Sequence, residues 1–179
     1  MKLYVIRHGQ TNCNKENKYN CRYDEDINET GIMQAKEASN NVKKLEIDLI
    51  ICSPLKRAKQ TMDLINVNNV PVTYDDRIIE REGGILTLTT VDSEFDENEY
   101  HNYYSKKTVE GLETLPNLLK RVFSFLDELK EKYQNKNILI VTHDSIGRAI
   151  QFYFEKLPAD GKIFKISGQK NCEIRKYEL

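Results

Sequence analysis

Three stretches of the chain read as apolar runs: Leu3 to Ile6, Ile47 to Cys52 and Ile138 to Val141. Runs without a strict alternation of polar and apolar positions predict strands buried on both faces, as in the middle of a parallel sheet. Elsewhere the spacing is helical. Ile32, Ala35, Ala38, Val42 and Leu45 mark one buried stripe on a helix over Thr30 to Leu45, with Lys36, Glu37, Lys43 and Lys44 between them. Leu115, Leu118, Leu119, Val122, Leu126, Leu129 and Tyr133 give the clearest helical repeat in the chain. Ser53-Pro54 reads as an N-cap with proline at the first helical position, opening a helix to about Ile65. A further helix spans Ser145 to Phe154, just after His143. Val70 to Tyr74 predicts a short strand, and Gly161 to Ser167 with Cys172 to Glu178 predict two closing strands. Residues 12–28 have no helical period and read as a long loop over the strand ends. Asp75 to Gly84 reads as a polar loop, and residues 87–111 as an irregular cap or lid with at most one short helix.

Buried strands alternating with amphipathic helices predict an α/β fold: a three-layer sandwich with a mostly parallel central sheet and helices on both faces. With 179 residues and 39% hydrophobic content, one domain over residues 1–179 is expected, carrying residues 87–111 as its lid. The net charge of -1 and the pI near 6.3 remove any general electrostatic case for nucleic acid or an anionic membrane. No apolar run is long enough for a signal-peptide core or a bilayer span, so a cytoplasmic protein is expected. Cys13, Cys21, Cys52 and Cys172 form no C-x-x-C pair, and are expected to be reduced structural thiols without a zinc site or disulfide framework.

The chemistry is concentrated where the apolar runs end. They terminate on Arg7-His8-Gly9, Ser53-Pro54 and Thr142-His143, and only His101 lies outside this set of histidines. In an open α/β sheet, ligands bind beyond the carboxyl ends of the strands, so these residues are expected to converge. Arg57 sits in the first turn of its helix, where the macrodipole disfavours a cation and the orphan N–H groups favour an anion. Two histidines and two arginines in one crevice are costly unless something anionic occupies it. Gly9 is expected to let the backbone turn sharply and a ligand approach closely. The crevice therefore reads as a phosphate site and the protein as a phosphohydrolase.

These motifs resemble those of the histidine phosphatase superfamily, which includes cofactor-dependent phosphoglycerate mutases. Arg7-His8-Gly9-Gln10-Thr11 with Asn14 looks like the family's first motif, Ser53-Pro54-Leu55-Lys56-Arg57-Ala58 with Gln60-Thr61 like its second, and Thr142-His143 with Arg148 like its last. Arg77-Ile78-Ile79-Glu80-Arg81 with Gly84 is similar to the segment carrying its proton donor. The resemblance implies a phosphoglycerate mutase-like fold, a phosphohistidine on His8, and a phosphate held by Arg7, Arg57 and His143 without metal or other cofactor. Glu80 becomes the candidate acid, although Glu82 would face the same side of an extended loop. Gln10, Asn14, Asn20, Cys21, Arg81 and Asp144 are the candidate substrate-binding residues. Asp144 stands where many members have Gly and puts a negative charge beside the anion site; Gly83 stands where they often have an aromatic, so one wall of the pocket is expected to be open; Cys21 stands where mutases usually have glycine. The lid carries Asp92, Glu94, Asp96, Glu97, Glu99 and Glu110 against Lys106 and Lys107. An acidic cap argues for hydrolysis of a small phosphomonoester with few further charges. The alternatives are a phosphoglycerate mutase and a non-catalytic phospho-ligand binding protein. The oligomeric state is left open.

Overall fold

The computed structural model describes the chain apart from residues 93–94, 156–157, 164–167 and 179 and the side chains at 96 and 97. In chain order the main elements are β1 (Lys2–Arg7), α1 (Asn12–Lys15), α2 (Glu29–Val42), β2 (Leu49–Cys52), α3 (Lys56–Ile65) and β3 (Val72–Tyr74). They continue with α4 (Leu115–Lys132), β4 (Ile138–Thr142), α5 (Asp144–Phe154) and β5 (Ile174–Glu178). The sheet order is β3-β2-β4-β1-β5, with β5 antiparallel to β1 and every other pair parallel.

The apolar runs are buried because successive side chains enter different layers. Leu3, Val5, Leu49, Ile51, Ile138 and Ile140 pack with α4 and α5, whereas Tyr4, Ile6, Ile50, Cys52, Leu139 and Val141 pack with α2 and α3. Each fully buried Leu, Ile or Phe contributes roughly 1.5–3 kcal/mol, so Leu118, Phe125 and Leu126 make α4 a principal anchor of its layer. Register then fixes the site: Arg7 lies opposite Thr142 and Cys52 opposite Val141. His8 N–H donates to Thr142 O at 2.9 Å and Ser53 N–H to Val141 O at 3.0 Å, so the strands end side by side.

Several local readings change. Helix α3 starts at Lys56, not at Ser53-Pro54, and its N-cap residue Leu55 makes no side-chain bond. Asp24 supplies the cap from the preceding loop, its Oδ1 accepting from Lys56 N–H at 2.7 Å. The 12–28 loop contains the four-residue α1, started by a reciprocal capping box between Thr11 and Asn14. Gly9 is needed for packing rather than for an unusual turn: its φ is not positive, and a Cβ there would lie 2.6 Å from Gly31 O at the start of α2. Within the lid one π-helical turn spans Asp96–Tyr100. Of the strand expected over Gly161 to Ser167, residues 164–167 lie outside the described residues, and Lys162 forms an isolated antiparallel bridge with Asn102. Among the described residues no helix is long and apolar enough to cross a membrane.

Candidate active site

Beyond the tips of β1, β2 and β4 lies a cavity of about 350 Å³ lined by Arg7, His8, Arg57 and Glu80, among others. His8 forms its base. Nδ1 lies 2.7 Å from Gly9 O, which can only accept, so Nδ1 carries the proton. Nε2 then presents its lone pair, accepting from Arg57 Nε–H at 3.2 Å. Burial first, then the charges of Arg57 and Arg7, push the imidazole well below its ordinary pKa and keep it neutral. His143 stands beside it, ring centroids 5.2 Å apart, but is fully buried and not part of the cavity lining. Its Nε2 pairs with Ser53 Oγ at 2.7 Å while Nδ1 has no partner. It too is held neutral, by burial and then by Arg57.

The arginines are fixed by backbone carbonyls. Arg57 is wholly buried, its guanidinium donating to Tyr23 O at 2.7 Å and Cys21 O at 2.6 Å. Burial opposes its charge and lowers its pKa, with Glu80 the leading compensation. Arg7 Nη1 donates to Gln169 O at 2.7 Å and approaches Asp144 Oδ1 at 3.5 Å, leaving Nε buried and unpaired. Buried unpaired donors beside a cavity fit an anion. Asp144, the first residue of α5, also receives Arg148 Nε at 2.9 Å. Burial works to raise its carboxyl, but Arg7 and Arg148 outweigh this and hold it below the usual range.

Glu80 and Glu82 separate clearly. Glu80 is buried in the cavity wall, its Oε1 accepting from Arg81 N–H at 2.7 Å. Glu82 is outside the lining and caps Gly83 and Gly84. Asn14, Asn20, Cys21 and Asp144 line the cavity, but Gln10 and Arg81 do not. Gln10 instead pairs with Asn28, and Arg81 is fixed by Tyr100 O, the face of the Tyr100 ring and Glu113 O. His101, set apart in the sequence, belongs to the cavity wall, where burial and then Arg148 lower its pKa to about 3. Asn171 was also missed: its Nδ2 donates to His8 O at 2.9 Å and Asn14 Oδ1 at 3.1 Å. Among the described lid side chains Val91, Tyr100 and His101 reach the cavity, whereas Asp92, Glu99 and Glu110 do not; Glu94 and the side chains of Asp96 and Glu97 lie outside the description. Among the described residues no group of three or more His, Cys, Asp or Glu side chains is placed to hold a metal ion.

Comparison with known proteins gives this geometry its relatives. PhoE of Bacillus subtilis, an uncharacterized phosphatase, is 33% identical over 150 residues, covering 82% of this chain and 73% of its own. GpmB of Escherichia coli, named a probable phosphoglycerate mutase, is 28% identical over 149 residues, covering 80% and 69%. The crystal structure of the alpha-ribazole phosphatase from Shigella flexneri superposes with a TM-score of 0.82 at 22% identity, covering 100% of this chain and 91% of that one. The model of the histidine phosphatase superfamily (branch 1) matches residues 3–179. Its span takes in all three strand-tip motifs and the Glu80 segment, and the chain belongs to that superfamily.

Proposed function

We propose that this protein hydrolyses small phosphomonoesters through a phosphohistidine on His8, with Glu80 as acid and then base. The observation that carries the reading is the fixed neutral tautomer of His8, whose Nε2 lone pair meets Arg57 at the cavity base. When a phosphate enters, Arg57 Nε–H transfers its hydrogen bond from Nε2 to a phosphoryl oxygen. Arg7 Nε and His143 Nδ1, both without protein partners, supply further contacts. Nε2 attacks phosphorus in line, the ester P–O bond breaks, and Glu80 gives its proton to the leaving oxygen. A water then loses a proton to Glu80 and attacks the phosphohistidine. Its P–N bond breaks, releasing phosphate and restoring neutral His8. Asn14 and Asn20 face the substrate from the wall, whereas Gln10 and Arg81 support the loops around it.

A mutase needs additional cations to grip a bisphosphorylated intermediate while excluding water. Lys106 and Lys107 line a separate groove, and Lys107 sits 4.8 Å from the Phe95 ring centre, which favours hydrolysis. A phosphomonoester screen tests the reading. Wild type should release phosphate and carry an acid-labile, alkali-stable phosphoryl group, and His8→Ala should lose both, with turnover reduced at least ~10³-fold. Unchanged turnover in His8→Ala overturns the mechanism. Rapid isomerisation of 3-phosphoglycerate with a bisphosphoglycerate primer, without phosphate release, overturns the hydrolase reading in favour of the mutase.

A further inference from the structure

Among the described residues the cavity wall contains one carboxylate that the proposed reaction does not use. Asp144 Oδ2 accepts from Arg148 Nε at 2.9 Å, and Oδ1 lies 3.5 Å from Arg7 Nη1. Gly168 closes over this pair: a Cβ there would lie 2.2 Å from Arg148 Nη2 and 2.7 Å from Asp144 Oδ1. The charge is thus built into the wall. The other charged groups lining the cavity are Arg7, Lys18, Arg57, Arg148 and Glu80, and Lys18 is engaged by Glu16 at 2.6 Å. Once Glu80 carries the proton it donates, Asp144 is the standing negative charge among these lining residues. It takes up Arg148 and part of the charge of Arg7, leaving the rest of the wall to neutral hydrogen-bonding groups such as Asn14, Asn17, Asn20 and Asn171.

We infer that Asp144 is a specificity-determining residue, selecting phosphomonoesters with a neutral, hydroxyl-bearing leaving group over those with a second anionic group. A carboxylate or second phosphate in the leaving group would lie in the same small cavity as Asp144, where a like charge is poorly screened. A hydroxyl would meet amides that can donate or accept. The inference rests on the phosphohistidine reading above and concerns only what departs from His8.

Glycerol 3-phosphate and 3-phosphoglycerate provide the test, because a hydroxymethyl group in one replaces a carboxylate in the other. Wild type should show the higher kcat/KM on glycerol 3-phosphate. Asp144→Asn should move the ratio of the two kcat/KM values about tenfold or more toward 3-phosphoglycerate, while Asp144→Glu keeps the wild-type preference. Asp144→Ser should give the same shift if the amide disturbs folding. A purely structural role in bracing Arg7 would lower kcat on both esters and leave their ratio within about twofold, and that result overturns the inference. So does a wild-type preference for 3-phosphoglycerate. Wild type that cleaves neither ester overturns the inference, which requires turnover of glycerol 3-phosphate, while the hydrolase reading stands or falls on the phosphomonoester screen; turnover of both with an unmoved ratio removes only the role of Asp144.

Discussion

Cys21 and Gly83 share one space. A Cβ on Gly83 would lie 2.2 Å from Cys21 Sγ and 2.9 Å from Thr87 Oγ1, so the small residue at 83 is the counterpart of the larger one at 21. From sequence Gly83 suggests an open wall; in the fold the Cys21 thiol occupies the space beside it. Cys21 also has φ of 48°, a left-handed conformation that costs a non-glycine residue about 1 kcal/mol. Gly83→Ala is expected to lower stability by about 1–3 kcal/mol through overpacking, and Cys21→Gly in the same chain to recover most of it. Denaturant midpoints of the two single variants and the double variant form the cycle that measures this. Strictly additive losses would refute the shared space. No single-residue reading of the sequence could find the pair, because its members are 62 positions apart in a region without periodicity.

At the level of elements, the segment bearing Glu80 is held from outside by two arginines. Arg121 on α4 donates to Arg77 O at 2.6 Å and Glu80 O at 3.3 Å while gripping Glu113, and Arg22 donates to Glu80 O at 2.9 Å. This makes Arg121 a positioning residue for the proposed acid. Arg121→Met should reduce kcat about tenfold with little change in KM, and Arg121→Lys should not restore it because a point charge cannot reproduce the forked contacts. A rise in KM at constant kcat would place its effect on binding instead. The strand tips were legible because fully apolar runs have one solution, burial on both faces, and their last residues then share an edge. The start of α3 was misread because Ser53-Pro54 carries a valid capping signature, but Asp24 from another segment takes that task and Ser53 turns to His143. Propensity is local, and this competition is not.

Across the whole molecule, the cavity is completed by parts that carry no pattern. His101 comes from the lid and Asn171 from the turn before β5, and both reach the site only because the sheet and lid bring distant segments over β1. As a result all three histidines of the chain are buried, and all three have lowered pKa values, His101 to about 3. The unfolded chain protonates them near pH 6.5 and the folded chain does not, so below that pH protons bind preferentially to the unfolded state. Stability should therefore be complete above about pH 7 and fall as pH drops, each histidine contributing a slope of up to about 1.4 kcal/mol per pH unit until its folded pKa is reached. Asp75, Asp144 and Glu113 have depressed pKa values, so their contribution is lost at lower pH, as the medium falls through the ordinary carboxylate range and below. The two windows are separable. Urea midpoints should stay level from pH 7.5 to about 7 and then decline down to pH 5.0, and His101→Asn should flatten that decline by about a third. A midpoint that holds level over this range would mean that the imidazoles titrate in the folded protein as they do in the unfolded chain, which would refute the lowering by burial and let His8 lose its lone pair below about pH 6.5.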